Sequence, residues 1–421
     1  MSDSADRKRV WQPPRYPDWV ERINGEGDGM DIESMVPLDA DNLISSAVRG
    51  TGLRDFGVPD WEEPFRVLSR ALDEEAELSL LGRLMARSDL LIFLQNRLRI
   101  EEAYRQHPQI EDEQIHQPVF IVGLPRSGTS ILFELLALDA GFAIPETWML
   151  LFSCPPPGID ADGIDDRIAR THHLVTLWNR VVPEYETMHE MGGRVPSECG
   201  MLMANCFISD HFAALHQAPS YDRHLASCSW EPAYRYHRRL LKLLQWQTPR
   251  RRWLLKAPNH LGHLPLLLAT YPDARIVQTH RDPLKCMASA ANLLGCLLWM
   301  RSRKPFDSTA FEDLILGEAT ASRLENVMSQ RDAGLIPAER IVDSVYQELM
   351  DDPLAAATRL YAGLGLELSE ATARAMQAYL AAKPRGMHGV HQYQTGDSQT
   401  RVRERALFRN YQLRHRVPDE T

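Results

Sequence analysis

The sequence predicts an α/β fold: a P-loop-like three-layer sandwich with a central parallel sheet of about four or five strands flanked by helices, plus a helical addition at the N-terminus. Three observations lead there. Residues 119–122, Val-Phe-Ile-Val, form a short apolar and largely β-branched run that enters a Gly/Pro turn, and a helical pattern with Ile131, Leu132, Leu135 and Leu136 follows. That strand, loop, helix order converges loop amides and a helix N-terminus on a phosphate. Residues 253–256 and 275–280 repeat the apolar run followed by a helix, as buried strands of a parallel sheet do. Residues 64–100 carry apolar side chains at helical spacing with no proline after Pro64, and read as two or three packed helices.

In chain order, residues 1–36 are rich in Pro, Gly and charge and read as an N-terminal arm with little core of its own. Residues 37–116 form the helical N-terminal region. Within it, Asp39 or Asp41 caps a helix carrying Leu43, Ile44 and Val48 that stops at Gly50 and Gly52. Residues 117–421 form the α/β core. Residues 155–166 are dense in Pro, Gly and Asp, a surface excursion. Asn259 caps a helix running to Tyr271, where Pro272-Asp273 stops it. Asp282 and Pro283 suit the N-cap and first position of the helix after the 275–280 strand. Residues 341–346 read as another strand. The basic stretch 401–416 reads as a helix with a solvated cationic face.

Composition excludes several functions. With 44% hydrophobic residues the chain can bury a large core, while a formal net charge of -10 and a pI near 5.9 argue against a nucleic-acid or anionic-membrane binder. The six cysteines show no CxxC or CxxH spacing, so reduced thiols in the cytoplasm are expected rather than disulfides or zinc. The charged N-terminus lacks the apolar stretch of a secretory signal, and no run is long enough to span a bilayer.

The loop Gly123-Leu-Pro-Arg126-Ser127-Gly128-Thr129-Ser130 fits the nucleotide P-loop template with one exchange: Thr129 stands where an NTPase has lysine, and Arg126 is its only cation. The missing lysine makes a triphosphate-magnesium complex a poor fit. A shorter ligand with one transferable end, neutralised by an arginine fork and amides, suits it better. An ATP-dependent phosphotransferase and a non-catalytic nucleotide-binding protein are the alternatives.

PRSGTS after a buried strand resembles the 5′-phosphosulfate loop of sulfotransferases that use 3′-phosphoadenosine 5′-phosphosulfate (PAPS). The phrases NRLRI at 96–100, LLKAPNHLGHL at 254–264 and ARIVQTHRDP at 274–283 are similar to bacterial cytosolic members of mycobacterial type, a likeness covering most of the chain from about residue 40. The resemblance implies sulfuryl transfer from PAPS to an acceptor hydroxyl, leaving adenosine 3′,5′-bisphosphate and needing no metal. By it, Arg126, Ser127, Gly128, Thr129 and Ser130 hold the 5′-phosphosulfate, and Lys256 stabilises the leaving oxygen. Arg281 and Ser289 bind the 3′-phosphate, and Arg385 in the basic, Gly-rich stretch 383–389 closes over it. Tyr346 opens YQEL where the family has YEDL, and lies against the adenine or the 3′-phosphate. The catalytic base is Glu146, twenty positions after Arg126 as in tyrosylprotein sulfotransferases, or His189, since animal cytosolic members use a histidine. For the acceptor, Trp148, Phe152, Trp178, Met188, Met191, Met201 and Met203 are the candidate apolar lining, suited to a hydrophobic small-molecule or lipid alcohol, with a glycolipid sugar hydroxyl as the alternative.

Overall fold

The computed structural model describes residues 11–160, 162–248, 251–308, 317–383 and 398–420. A five-stranded sheet lies at its centre, in the order β2-β3-β1-β4-β5: β1 (Val119–Gly123), β2 (Phe142–Ala143), β3 (Arg252–Lys256), β4 (Arg275–His280) and β5 (Ile341–Val345). Every pairing is parallel. β1 is buried along its whole length, because β3 and β4 flank it and helices cover both faces. The sequence foresaw β1, β3, β4 and β5. It missed β2, whose two residues are too few to show a period.

Parallel strands put all their C-terminal ends on one edge, where ligands bind in open α/β sheets. Gly123, Lys256, His280 and Val345 all end there. The helix Pro283–Trp299 starts from that edge as expected, with Asp282 Oδ1 accepting from the Leu284 N–H at 3.0 Å. Asn259 does not cap a long helix. A 3-10 turn, Pro258–Gly262, comes first and a short helix, Leu264–Thr270, follows, because Pro265 has no N–H to continue the ladder and suits a helix start.

The helical N-terminal region shares a core with the sheet. Asp39 caps Ala40–Thr51 and Gly52 ends it at φ 73°. Glu62–Glu74 and Leu80–Gln106 follow, the latter capped by Ser79. The phrase NRLRI gains a physical meaning here. Arg97, 1% exposed, donates to the carbonyls of Phe56, Val58 and Asn205, and Asn96 donates to Asn205 Oδ1 at 2.8 Å. These bonds tie the long helix to the elements over the sheet, and a buried guanidinium left without such partners would be costly.

Both ends of the described chain are docked. Residues 11–26 fold onto the end of the Pro283–Trp299 helix, with Tyr16 stacked on Trp299 at 4.6 Å and Val20 buried. The basic stretch near the C-terminus is a helix, Ser398–His415, but its cationic face is not simply solvated. Phe408 and Tyr411 are buried, Tyr411 Oη meets His280 Nδ1 at 2.9 Å, and Arg405 grips both oxygens of Asp282. Its charge serves to anchor the helix at the sheet edge. Among the described residues, no helix is long and apolar enough to cross a membrane.

Candidate active site

The β1 loop is held by its own residues. Gly123 adopts φ 152°, with the space a Cβ would need only 2.2 Å from Thr279 Oγ1. Gly128, at φ 93°, lies against the Tyr346 ring, 2.6 Å from such a Cβ, so neither position admits a side chain. Between them Arg126 takes φ 68°, a conformation that costs a non-glycine residue on the order of 1 kcal/mol and that clusters at functional sites. This backbone aims its guanidinium across the sheet edge: Nε donates to Ser289 Oγ at 3.0 Å and Nη1 to the Met188 carbonyl at 3.1 Å.

Ser127 corrects one expectation. Its hydroxyl donates to the Leu124 carbonyl and meets Thr279 Oγ1, both at 2.6 Å, and its N–H points back to Leu124. With its side chain 2% exposed, it pins the loop to β4 rather than facing a ligand. Gly128, Thr129 and Ser130 open the helix Thr129–Leu136 and face the cavity, so the helix start supplies positive partial charge there.

Lys256, the last residue of β3, is 3% exposed. Its Nζ donates to Ser130 Oγ at 3.1 Å and Glu198 Oε1 at 2.6 Å, two residues of the cavity wall. Burial pushes the Glu198 carboxyl up, but the charge and hydrogen bond of Lys256 outweigh it and hold the group below the ordinary carboxylate range. Glu198 is therefore an anion whose partner is the lysine, with 35% of its side chain open to the cavity. The sequence signal for it was faint, a glutamate just before the short helix Cys199–Met203.

The two candidate bases are placed very differently. The Glu146 carboxylate accepts from Trp148 Nε1 at 2.6 Å and faces Arg194 at 3.5 Å, in a segment bridged to Pro196 and outside the cavity lining. Neighbouring Thr147 lines the cavity; Glu146 is turned from it. His189 does line it, stacked parallel to Tyr185, with Nδ1 2.9 Å from the Glu190 carbonyl. A carbonyl only accepts, so Nδ1 carries the proton and Nε2 keeps its lone pair. Desolvation, then the Lys256 charge, lowers the pKa of His189 below the ordinary imidazole value, leaving it neutral at pH 7.

At the other end of the loop, Arg281 donates from Nη1 to the Arg126 carbonyl at 3.0 Å, and its guanidinium stacks on Tyr346 at 3.9 Å. Its remaining edge grips Glu420, a residue that sequence reasoning passed over. Tyr346 starts the helix Tyr346–Asp351 immediately after β5, as expected for a strand-end tyrosine. Ser289 is buried against Arg126. Arg385 lies outside the described residues.

Arg126, Gly128 to Ser130, His189, Glu198, Arg281 and Tyr346 share one cavity of about 670 Å³, with Lys256 and Ser289 behind its wall on Ser130 and Arg126. Arg126, Gly128, Ser130, Arg281 and Tyr346 form its polar end, His189 and Glu198 its middle, and Leu81, Met85, Ile92, Trp178, Leu294 and Leu297 much of its apolar remainder. The long helix Leu80–Gln106 does more than cover the sheet: its 81, 85, 88, 92 stripe is a cavity wall. Of the aromatic and methionine candidates, Trp178, Met191 and Met201 line the cavity, whereas Trp148, Phe152, Met188 and Met203 are buried and do not.

Comparison with known proteins agrees with this geometry. The chain aligns with the mycobacterial sulfotransferase STF1 of Mycobacterium tuberculosis H37Rv at 29% identity and a TM-score of 0.72, over 88% of this chain and 98% of that one. The STF9 sulfotransferase of Mycobacterium avium shares the fold, with a TM-score of 0.73 at 23% identity, over 90% of this chain and 97% of that one. An omega-hydroxy-beta-dihydromenaquinone-9 sulfotransferase, Stf3, of Mycobacterium bovis is 25% identical over 308 residues, 69% of this chain and 71% of its own length. Residues 118–370, more than half of the chain, match the profile described as the sulfotransferase family. They run from the start of β1 past β5, and the chain belongs to the sulfotransferase family.

Proposed function

We propose that the chain moves the sulfuryl group of PAPS to the hydroxyl of a hydrophobic acceptor, a lipid alcohol. The observation that carries this reading is the shared cavity, in which a polar, amide-rich end adjoins an apolar chamber and His189 and Glu198 stand at the junction. A polyanionic acceptor would have to enter that apolar chamber unpaired, at high desolvation cost. The relative Stf3 is named for a lipid-like hydroxylated acceptor, which supports the same substrate class.

In this reading the loop amides at Gly128 to Ser130 and Arg126 hold the 5′-phosphosulfate, and Arg281 with Tyr346 holds the 3′-phosphate and the base. The acceptor oxygen attacks sulfur in line as the bond from sulfur to the bridging phosphate oxygen breaks. Lys256, already on Ser130, meets the charge growing on that bridging oxygen. The acceptor proton passes to His189 Nε2, and adenosine 3′,5′-bisphosphate leaves. Glu198 orients Lys256 and balances its charge until the transition state draws on it. His189 replaces Glu146 as the base because it lines the cavity with a free lone pair. All six cysteines are free thiols, which supports a reducing, cytoplasmic setting.

The test is transfer of label from ³⁵S-PAPS to a lipid extract, run with and without a chelator. Label in the organic phase, unaffected by chelation, is expected. Label appearing only in polysaccharide or peptide fractions would contradict the acceptor class, and label transferred only with magnesium would contradict the metal-free chemistry.

A further inference from the structure

The Arg281 fork is already filled. Nε lies 2.9 and 3.1 Å from the two Glu420 oxygens, and Nη2 lies 2.8 Å from Oε2. Side-chain exposure at the pair is 16% and 17%. Of its other groups, Nη1 donates to the Arg126 carbonyl and one face of the guanidinium lies on Tyr346. The edge that holds the carboxylate is the one whose paired N–H groups match a phosphate.

Glu420 is delivered by built structure. Its N–H donates to Asp282 Oδ2 at 2.7 Å, and the same aspartate is gripped by Arg405 of the C-terminal helix. Asp419 pairs with Arg405 at 3.1 Å and accepts from Gln412 Nε2 at 2.9 Å. The helix itself is fastened by Phe408 and Tyr411. Only the short stretch after Val417 has to shift for the carboxylate to leave, while these fastenings hold the helix in place.

We infer that Glu420 is an internal competitor for the 3′-phosphate of the nucleotide, displaced from Arg281 when donor binds and returning as adenosine 3′,5′-bisphosphate leaves. This rests on the reading that Arg281 receives the 3′-phosphate. Phosphate and carboxylate cannot share one fork edge, and two anions side by side repel each other. Binding is therefore an exchange of one charge-assisted pair for another, which keeps a dianion-binding site from holding its product too tightly. Product release limits turnover in many transferring enzymes, and a returning carboxylate shortens it.

The experiment is calorimetric binding of adenosine 3′,5′-bisphosphate and of adenosine 5′-monophosphate to the full chain and to Glu420→Gln, Glu420→Ala and Arg281→Ala, with steady-state kinetics on PAPS. Both Glu420 variants are expected to bind the bisphosphate about tenfold more tightly, the worth of one partly buried charge-assisted pair, and to lower KM for PAPS together with kcat. Binding of the monophosphate, which lacks the competing group, stays unchanged. A purely structural Glu420, holding Arg281 in place, gives the opposite sign: weaker bisphosphate binding in both variants. That result, or equal binding in wild type and Glu420 variants with loss in Arg281→Ala, overturns the competitor role and leaves the donor reading standing. Bisphosphate binding indifferent to Arg281→Ala overturns both.

Discussion

The polar and apolar ends of the cavity are built by opposite means. At the polar end three short stretches carry the contacts: the loop 123–130, the end of β3, and the start of the Pro283–Trp299 helix. They are cross-linked by hydrogen bonds, Arg126 to Ser289, Arg281 to the Arg126 carbonyl and Ser127 to Thr279. The apolar end is assembled from Leu81, Phe93, Trp178, Met201, Leu215 and Leu297, drawn from five helices and brought together mainly by packing. One end is a fixed electrostatic template and the other a chamber whose shape can change by substitution without touching the chemistry.

That contrast is broken or sharpened by substitutions at each end. The largest effect is expected for Lys256→Ala, where loss of the cation that we propose stabilises the leaving oxygen should lower kcat by about 10²- to 10³-fold. Acceptor KM should stay put. A matching change in acceptor KM would mean that the two ends are not separable.

His189→Ala should lower kcat by about 10²-fold, with Glu146→Gln within a few-fold of wild type. In wild type the pH profile should hold its rate into mildly acidic conditions. His189 has its pKa lowered by desolvation and by Lys256, so the lone pair is lost only as pH falls below the ordinary imidazole range. An acid limb unchanged in His189→Ala would assign it to another group.

Trp178→Ala should act in the opposite sense, raising acceptor KM roughly tenfold for an apolar acceptor and leaving bisphosphate binding alone. The smallest effect concerns Asp210 on the cavity wall, whose pKa burial and then the Glu198 charge raise to about 7. A raised carboxyl favours the folded state while protonated, and that contribution fades as pH rises from the unfolded value of 3.8 towards about 7. Asp210→Asn should therefore raise Tm by a few degrees at pH 8 and little at pH 4, as thermal melts at the two pH values would record.

How much of this was legible in the sequence follows the same division. The polar end was readable because its parts are short, local and chemically unusual: the lysine-free P-loop, Lys256 closing a buried run, Asp282-Pro283 opening a helix. Ser127 misled because loop motifs name residue types, not which way a hydroxyl turns. Glu146 misled because spacing along the chain says nothing of the Trp148 indole that turns its carboxylate aside. The apolar wall was only partly visible, since core and lining residues have the same composition. Trp148 and Trp178 look alike in sequence, yet one is core and the other lines the cavity. Glu420 was invisible because its partner lies 139 positions away in sequence.

A crystal structure with adenosine 3′,5′-bisphosphate bears on all of it at once. The expected result is a 5′-phosphate on the amides at the start of the Thr129–Leu136 helix, within reach of Arg126, and a 3′-phosphate on Arg281, with the apolar chamber left open beyond His189. A nucleotide lodged in that chamber, or bound with Arg126 and Arg281 both out of contact, would contradict the account.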